Sequence, residues 1–279
     1  MSAALLSVTG LSKAFGGVKA IQDLSLAIQP GAVHSIIGPN GAGKTSLINM
    51  LSGVYRPDAG SIRLAGRELC GEPVHRFAAA GIGRTFQNLQ IFFNMTALEN
   101  VMTGRHLRER CSLFSALLRT PALVRAEAAC REAARGLLRQ VGLAGSEDVA
   151  ADALPYGALK RLEIARALGA EPQLLLLDEP AAGLNATEAR EIDALIKRLA
   201  AAGTTVVLVE HNMRLVMEVS DYVFVLDHGR KLAEGTPAEV GSDPRVIEAY
   251  LGTDAQARPH PNPPPEGEGA NAEVVDAVS

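Results

Sequence analysis

Apolar positions change their spacing three times along this chain. Through the first third they come in short runs broken by glycine, LLSVTG, LSLAIQPG, VHSIIG and GSIRLAG, which predict antiparallel ribbons beside a core strand. Between Thr96 and about Val141 the spacing turns helical: Thr120-Pro121 is an N-cap and first-turn pair, Glu127 and Arg131 stand four apart, and Gly142 is a stop signal. That stretch predicts an amphipathic helical insertion. Beyond it, continuous apolar runs alternate with helical spacing in QLLLLDE, ATEAREIDALIKRLAAAG, TTVVLVEH and NMRLVMEVS. Strands apolar on both faces need cover on both, so these runs predict a parallel sheet between helices. DYVFVLDHGRKLAEG predicts a hairpin turning near Asp227-His228-Gly229. Two short helices, opened by Thr236-Pro237 and Asp243-Pro244, are expected to close the fold at Gly252. The segment RPHPNPPPEGEGAN that follows is proline-rich and nearly devoid of apolar residues, which predicts a disordered tail over 253–279.

Composition adds mostly exclusions. With 279 residues, 47% of them hydrophobic, the chain can bury a full core, as one large domain or as a core with a smaller insertion. A formal net charge of −4 argues against a nucleic-acid binder, which carries a basic excess. No apolar run approaches the ~18–20 residues of a spanning helix, and MSAALLSVTGL lacks the basic start and long apolar core of a secretory signal. The expectation is a cytosolic chain that meets a membrane only through a partner. Cys70, Cys111 and Cys130 are odd in number with no CxxC pair, so neither a disulfide framework nor a zinc site is expected.

The strongest local chemistry is GPNGAGKT, residues 38–45, placed between the apolar strand VHSII and the apolar helical run SLINMLSG. That is the context of a phosphate-binding loop. Gly38, Pro39, Asn40, Gly41, Ala42 and Gly43 let the backbone curl so that N–H groups, continuing to Ser46, face phosphate; Lys44 neutralises phosphate oxygens, and the Thr45 hydroxyl can ligate Mg²⁺. LLLLDEP supplies a second contact. Its strand delivers Asp178 and Glu179 at the carboxyl end, where open α/β sheets bind ligands. Asp178 would hold the metal, and Glu179 would orient the attacking water or accept its proton.

A further stretch, LPYGALKRLEIARAL (154–168), opens a helix at about Gly157 and then sets Lys160 beside Arg161. Cations near the positive end of a helix dipole are unfavourable unless an anion is close or the side chains turn away.

Taken in their order over residues 5–252, these motifs resemble the ATP-binding subunit of an ABC transporter. The resemblance implies an α/β fold: a P-loop ATPase core with a parallel sheet, an antiparallel β subdomain, and an α-helical subdomain inserted at about 96–165, within a domain spanning 1–252. It places Phe15 of KAFGG on adenine, Gln87 of RTFQN on Mg²⁺ and the attacking water, Asn185 of AAGLN in a dimer-contacting loop, and His211 on the γ-phosphate and Glu179. LPYGALKR aligns with the family's LSGGQ, which caps the γ-phosphate held by the opposite subunit, so Tyr156 and Gly157 would touch ATP in trans. Pro155, Tyr156 and Ala158 depart from that pattern, and proline offers neither hydroxyl nor N–H.

The tyrosine-glycine form, together with RTFQNLQIFFNMTALENV, CSLFSALLRTPALVRAEA, DEPAAGLN and the ending Tyr250-Leu251-Gly252, is similar to the longer ATP-binding subunit of branched-chain amino-acid importers. The implied partners are two transmembrane permeases, a second ATP-binding subunit and, indirectly, an extracytoplasmic solute-binding protein. Leu89 through Phe93 would contact a permease helix, and the chain would lie peripherally on the inner face of the plasma membrane. An exporter ATPase for lipid or lipopolysaccharide, a soluble ABC ATPase and a non-hydrolysing regulatory subunit remain the alternatives.

Overall fold

The computed structural model describes residues 4–108 and 121–256. β1 (Leu6–Phe15), β2 (Val18–Ile28), β4 (Ala59–Leu64) and β5 (Arg67–Glu68) form an antiparallel sheet in the order β2-β1-β4-β5. The second sheet runs β10-β9-β3-β8-β7-β6, built from β3 (Val33–Ile37), β6 (Ile82–Arg84), β7 (Leu174–Asp178), β8 (Thr205–Val209), β9 (Tyr222–Asp227) and β10 (Arg230–Gly235). Its strands pair in parallel except for β10, which returns antiparallel on β9 through a two-residue turn. His228 (φ 44°) and Gly229 (φ 76°) give that turn the two positive φ values a tight hairpin requires.

Every residue of β3, β7 and β8 is buried, and the pleat sorts them between two cores. Leu174, Leu176, Val207 and Val209 face the antiparallel sheet and α1 (Lys44–Leu51), packing with Leu6, Leu24 and Leu47. Leu175, Leu177, Val206 and Leu208 face the other way, onto Ile192, Leu195 and Leu199 of α6 (Ala186–Ala201). Each fully buried leucine contributes about 1.5–3 kcal/mol, which is why a run of four leucines specifies a central strand.

The helical segment holds α3 (Ala97–Gly104), α4 (Pro121–Gln140) and α5 (Tyr156–Leu168); the earlier α2 (Val74–Ala80) leads into β6. Thr96 and Glu99 close a capping box at the start of α3. Leu98, Val101, Leu138, Leu159 and Leu162 join these helices to the α6 side of the sheet in one core. α5 starts at Tyr156 on the Pro155 cap, one residue before the sequence expectation.

After β8 the chain forms α7 (Met213–Val219), and after β10 it forms α8 (Pro237–Gly241) and α9 (Pro244–Gln256). The expected close at Gly252 is corrected: α9 runs four residues further. A glycine costs a helix roughly 1 kcal/mol relative to alanine, and Val246 and Tyr250, packed on the sheet edge, hold the preceding turns. Residues 253–256 are therefore helical. RPHPNPPPEGEGAN lies outside the described residues, as does the whole CSLFSALLRT stretch with Cys111 and Thr120.

Candidate nucleotide site

The GPNGAGKT loop joins the carboxyl end of β3 to α1. A Cβ on Gly38 (φ 152°) would lie 2.1 Å from the Leu226 carbonyl oxygen, and one on Gly43 (φ 101°) would lie 2.5 Å from that of Ala20. The loop thus rests directly on the backbone of β9 and β2, and only glycine fits at both points. No side chain caps α1. Its first-turn N–H groups are the orphans a phosphate accepts. Lys44 Nζ donates to the carbonyl oxygens of Gly38 (2.7 Å) and Pro39 (3.0 Å). Burial lowers the Lys44 pKa, opposed by Glu179 and Asp178. Pro39 is buried, Asn40, Gly41 and Thr45 are exposed, and Ser46 is half-buried. An open groove of about 580 Å³ runs along the loop, walled by Lys19, Gln22, Gln87, Glu179 and His228.

Asp178 ends β7 and is buried. Arg84 at the end of β6 reaches it at 3.4 Å, while also donating to Asn49 Oδ1 (2.6 Å) and Ser52 Oγ (2.7 Å) of the α1 region. Burial raises the Asp178 pKa; Arg84 pulls it down and Glu179 pushes it up. Glu179 follows in a left-handed conformation (φ 48°) with its N–H donated to Val209 O at 2.9 Å. A non-glycine residue held there stores strain, as functional turns do. Gln87 Nε2 donates to Glu179 Oε2 at 3.4 Å. His211 Nδ1 lies 3.6 Å from Glu179 Oε1, outside hydrogen-bonding range, on a side chain 60% exposed. Beneath them, buried Glu210 accepts from the N–H groups of Ala181 (3.4 Å) and His211 (3.3 Å), and burial raises its pKa.

Lys44, Thr45, Gln87, Asp178 and Glu179 therefore converge at one end of the parallel sheet. Phe15 is 41% exposed rather than a core residue, standing edge-on to Tyr55 (5.2 Å) under the Lys13 ammonium. Tyr156 and Gly157 stand apart from the groove. The Tyr156 ring lies against Gly183, and a Cβ on Gly157 would sit 2.7 Å from Glu188 Oε1. Asn185 is the N-cap of α6, accepting from Thr187 N (2.9 Å) and Glu188 N (3.0 Å), with Glu188 returning a bond to its N–H. Each of the two adjacent cations of α5 has its own partner: Lys160 is buried with Nζ 5.8 Å from the ring centroid of Tyr156, the first residue of the helix, and Arg161 pairs with Glu191 of α6. The apolar run 89–93 divides. Leu89 and Ile91 pack into the core, whereas Phe92 and Phe93 are about half exposed.

Sequence reasoning missed Arg84, Glu163 and Glu210. Glu210 is adjacent to His211 and carried a local hint. Arg84 is a single charge in the apolar run GIGRTF, and Glu163 of α5 is one charge among several in KRLEIAR; neither has a local spacing that marks it.

A phosphate loop feeding α1, an acidic pair closing a buried parallel strand, and a glutamine-bearing loop from the neighbouring strand define an ATP-binding cassette. The chain belongs to the ABC transporter family: that family's model matches residues 21–182, and the model described as branched-chain amino acid ATP-binding cassette transporter matches residues 230–256. The high-affinity branched-chain amino acid transport ATP-binding protein LivG of Salmonella typhimurium is 45% identical over 253 residues, covering 90% of this chain and 99% of LivG. The lipopolysaccharide export system ATP-binding protein LptB of Acidithiobacillus ferridurans is 34% identical over 252 residues, 90% and 98% of the two chains. Among solved structures, the ADP conformation of an ATP-binding cassette of an ABC transporter superposes with a TM-score of 0.78 at 31% identity, covering 90% of this chain and all of that one.

Proposed function

We propose that this chain is the ATP-hydrolysing subunit that powers an importer of branched-chain amino acids or related small polar compounds. The observation that carries the reading is the convergence of Lys44, Gln87, Asp178 and Glu179 around the phosphate-loop groove. The first-turn N–H groups of α1 and the Lys44 ammonium bind the triphosphate, and Phe15 stacks on adenine. Thr45 Oγ1, Gln87 Oε1 and Asp178 form a hard-oxygen donor set suited to Mg²⁺, which when bound offsets phosphate charge. Glu179 accepts the proton of the attacking water, and His211, exposed and 3.6 Å away, steadies Glu179 and the γ-phosphate after a small side-chain movement.

Tyr156, Gly183 and Asn185 are exposed away from this groove, with Tyr156 against Gly183 and the buried Gly157 against Glu188. In our reading that surface meets the nucleotide of a second ATPase subunit, with the cassette running from residue 1 through α9 and its helical subdomain over 96–165. Closure on two nucleotides then moves two permeases, which Phe92 and Phe93 face. Among the described residues no helix is long and apolar enough to cross a membrane, which suits a peripheral subunit on the inner face of the plasma membrane, with the solute-binding protein on the far side. The branched-chain match over 230–256 and the higher identity to LivG favour import over the lipopolysaccharide-export reading.

The test is a mild-detergent pull-down of the tagged chain from its native membranes, followed by mass spectrometry. Two permeases and a shorter ATPase are expected. Recovery from the soluble fraction without membrane proteins would overturn the transport reading.

A further inference from the structure

Gln87 lies between two amides that share a single acceptor. Phe86 N and Gln90 N each donate to Glu163 Oε1 at 3.3 Å, and Glu163, on α5 two turns beyond Tyr156, is 3% exposed. One turn further, the Arg166 guanidinium lies 5.5 Å from the centroid of Phe92. From α3, Asn100 accepts from Phe92 N (2.9 Å) and donates to Phe92 O (3.0 Å). The segment 86–92 is thus fastened to two helices of the insertion. Its ties toward the sheet are thinner: the 3.4 Å contact from Gln87 to Glu179, and the Phe86 ring over Arg84.

We propose that Glu163 is a positioning residue for ATP hydrolysis, fastening residues 86–90 to α5 so that Gln87 moves with the helix that begins at Tyr156 and Gly157. The inference rests on the reading of Gln87 given above. Only three residues separate the two amides held by Glu163, so the intervening backbone has little slack and a displacement of α5 is passed to Gln87 rather than absorbed. The Gln87–Glu179 contact is at the outer limit of a hydrogen bond, so a shift of under 1 Å makes or breaks it. Occupation of the α5 N-terminus is thereby conveyed to Glu179 through one buried carboxylate.

The test combines amide hydrogen exchange and steady-state kinetics on the purified full-length chain, comparing wild type, Glu163→Ala, Glu163→Gln and Gln87→Ala. Losing a charged acceptor exposes both amides. In Glu163→Ala the Phe86 and Gln90 amides should exchange at least about tenfold faster, with β7 and β8 protection unchanged, and kcat should fall about tenfold at a KM for ATP within about twofold. Glu163→Gln keeps an acceptor oxygen and should recover most of both. Wild-type amides at 86 and 90 exchanging at unprotected rates would overturn the proposal even if Glu163→Ala failed to fold. So would unchanged exchange in a folded Glu163→Ala. Gln87→Ala should lose turnover without faster exchange at 86 and 90; undiminished turnover there would remove the Gln87 reading, while the exchange rates still judge the fastening itself.

Discussion

Asn185 lies in the loop that the family resemblance assigns to a dimer contact, and the structure gives its side chain a definite task. Its Oδ1 accepts two first-turn N–H groups of α6, at 2.9 and 3.0 Å, while Glu188 Oε2 accepts the Asn185 N–H at 3.0 Å. Asn185→Ala removes the first two bonds and leaves the third, since that one uses backbone. Losing an N-cap costs about 1 kcal/mol, and for a domain of this size each kcal/mol moves Tm by roughly 2–4 °C. Asn185→Asp keeps both acceptors and adds a charge at the positive end of α6, worth about 0.3–1 kcal/mol. Capping holds such a carboxyl below its ordinary pKa near ~3.9, so the gain is present above that value and lost as pH falls through the folded-state pKa.

Thermal unfolding followed by circular dichroism at pH 7 should therefore rank Asp at or above Asn and both above Ala. An alanine variant with unchanged Tm, or an aspartate variant less stable than alanine, would refute the cap argument. The same variants speak to function. If capping is the whole role, ATP turnover by Asn185→Ala well below its Tm stays within about threefold of wild type. A loss beyond about tenfold in a folded protein would place the side chain across a subunit boundary instead.

Glu179→Gln should keep ATP binding and lose about 10²- to 10⁴-fold in turnover, measured as phosphate release against calorimetric affinity; ordinary turnover would take Glu179 out of its role. On the proposed reading, Lys44→Ala removes a buried, charge-assisted phosphate donor and should raise the Kd for ATP by about 10- to 100-fold by isothermal titration calorimetry, whereas a change under twofold would contradict the site. His34 is buried at the far end of β3, stacked near Phe224 with Nε2 accepting from Gln29 N, and burial holds its pKa at about 4, well below the ordinary 6.5. The unfolded chain binds the extra proton between those values, so stability falls from pH 6.5 toward pH 4, by about 3 kcal/mol in total, and levels off below. His34→Gln, which accepts the same bond without titrating, should lose that part of the slope in urea melts. Parallel slopes for the two proteins would refute the burial argument.

The parts of the site that were legible in the sequence are those whose function is local. GPNGAGKT is contiguous because, in its proposed role, one loop presents consecutive N–H groups to one phosphate chain, and LLLLDE is contiguous because a buried strand delivers its acids at one end. The helix-opening residues Thr96 and Thr236 obey the same logic, with donor and acceptor within three residues. The end of α9 shows the limit of such signals: Gly252 reads as a stop, but the packing of Val246 and Tyr250 belongs to the tertiary structure.

The illegible parts are the buried charges. Arg84 meets Asp178 across 94 positions and Glu163 meets Phe86 across 77. Neither pairing leaves a period or a spacing, because what selects it is the cost of leaving a charge unpaired in the interior, a property of the finished fold. Lys160 and Arg161 make the point within a single dipeptide. Adjacent on a helix, they diverge by about 100°, so one is buried beside Tyr156 among charged neighbours while the other reaches Glu191 on α6. Lys160 Nζ thus stays 5.8 Å from the ring of the first helical residue, while the neighbouring Gly157 is buried against Glu188. In the proposed contact with a second subunit, an anion meeting the start of α5 would pull on a helix whose buried face carries Glu163 and, through it, the segment around Gln87.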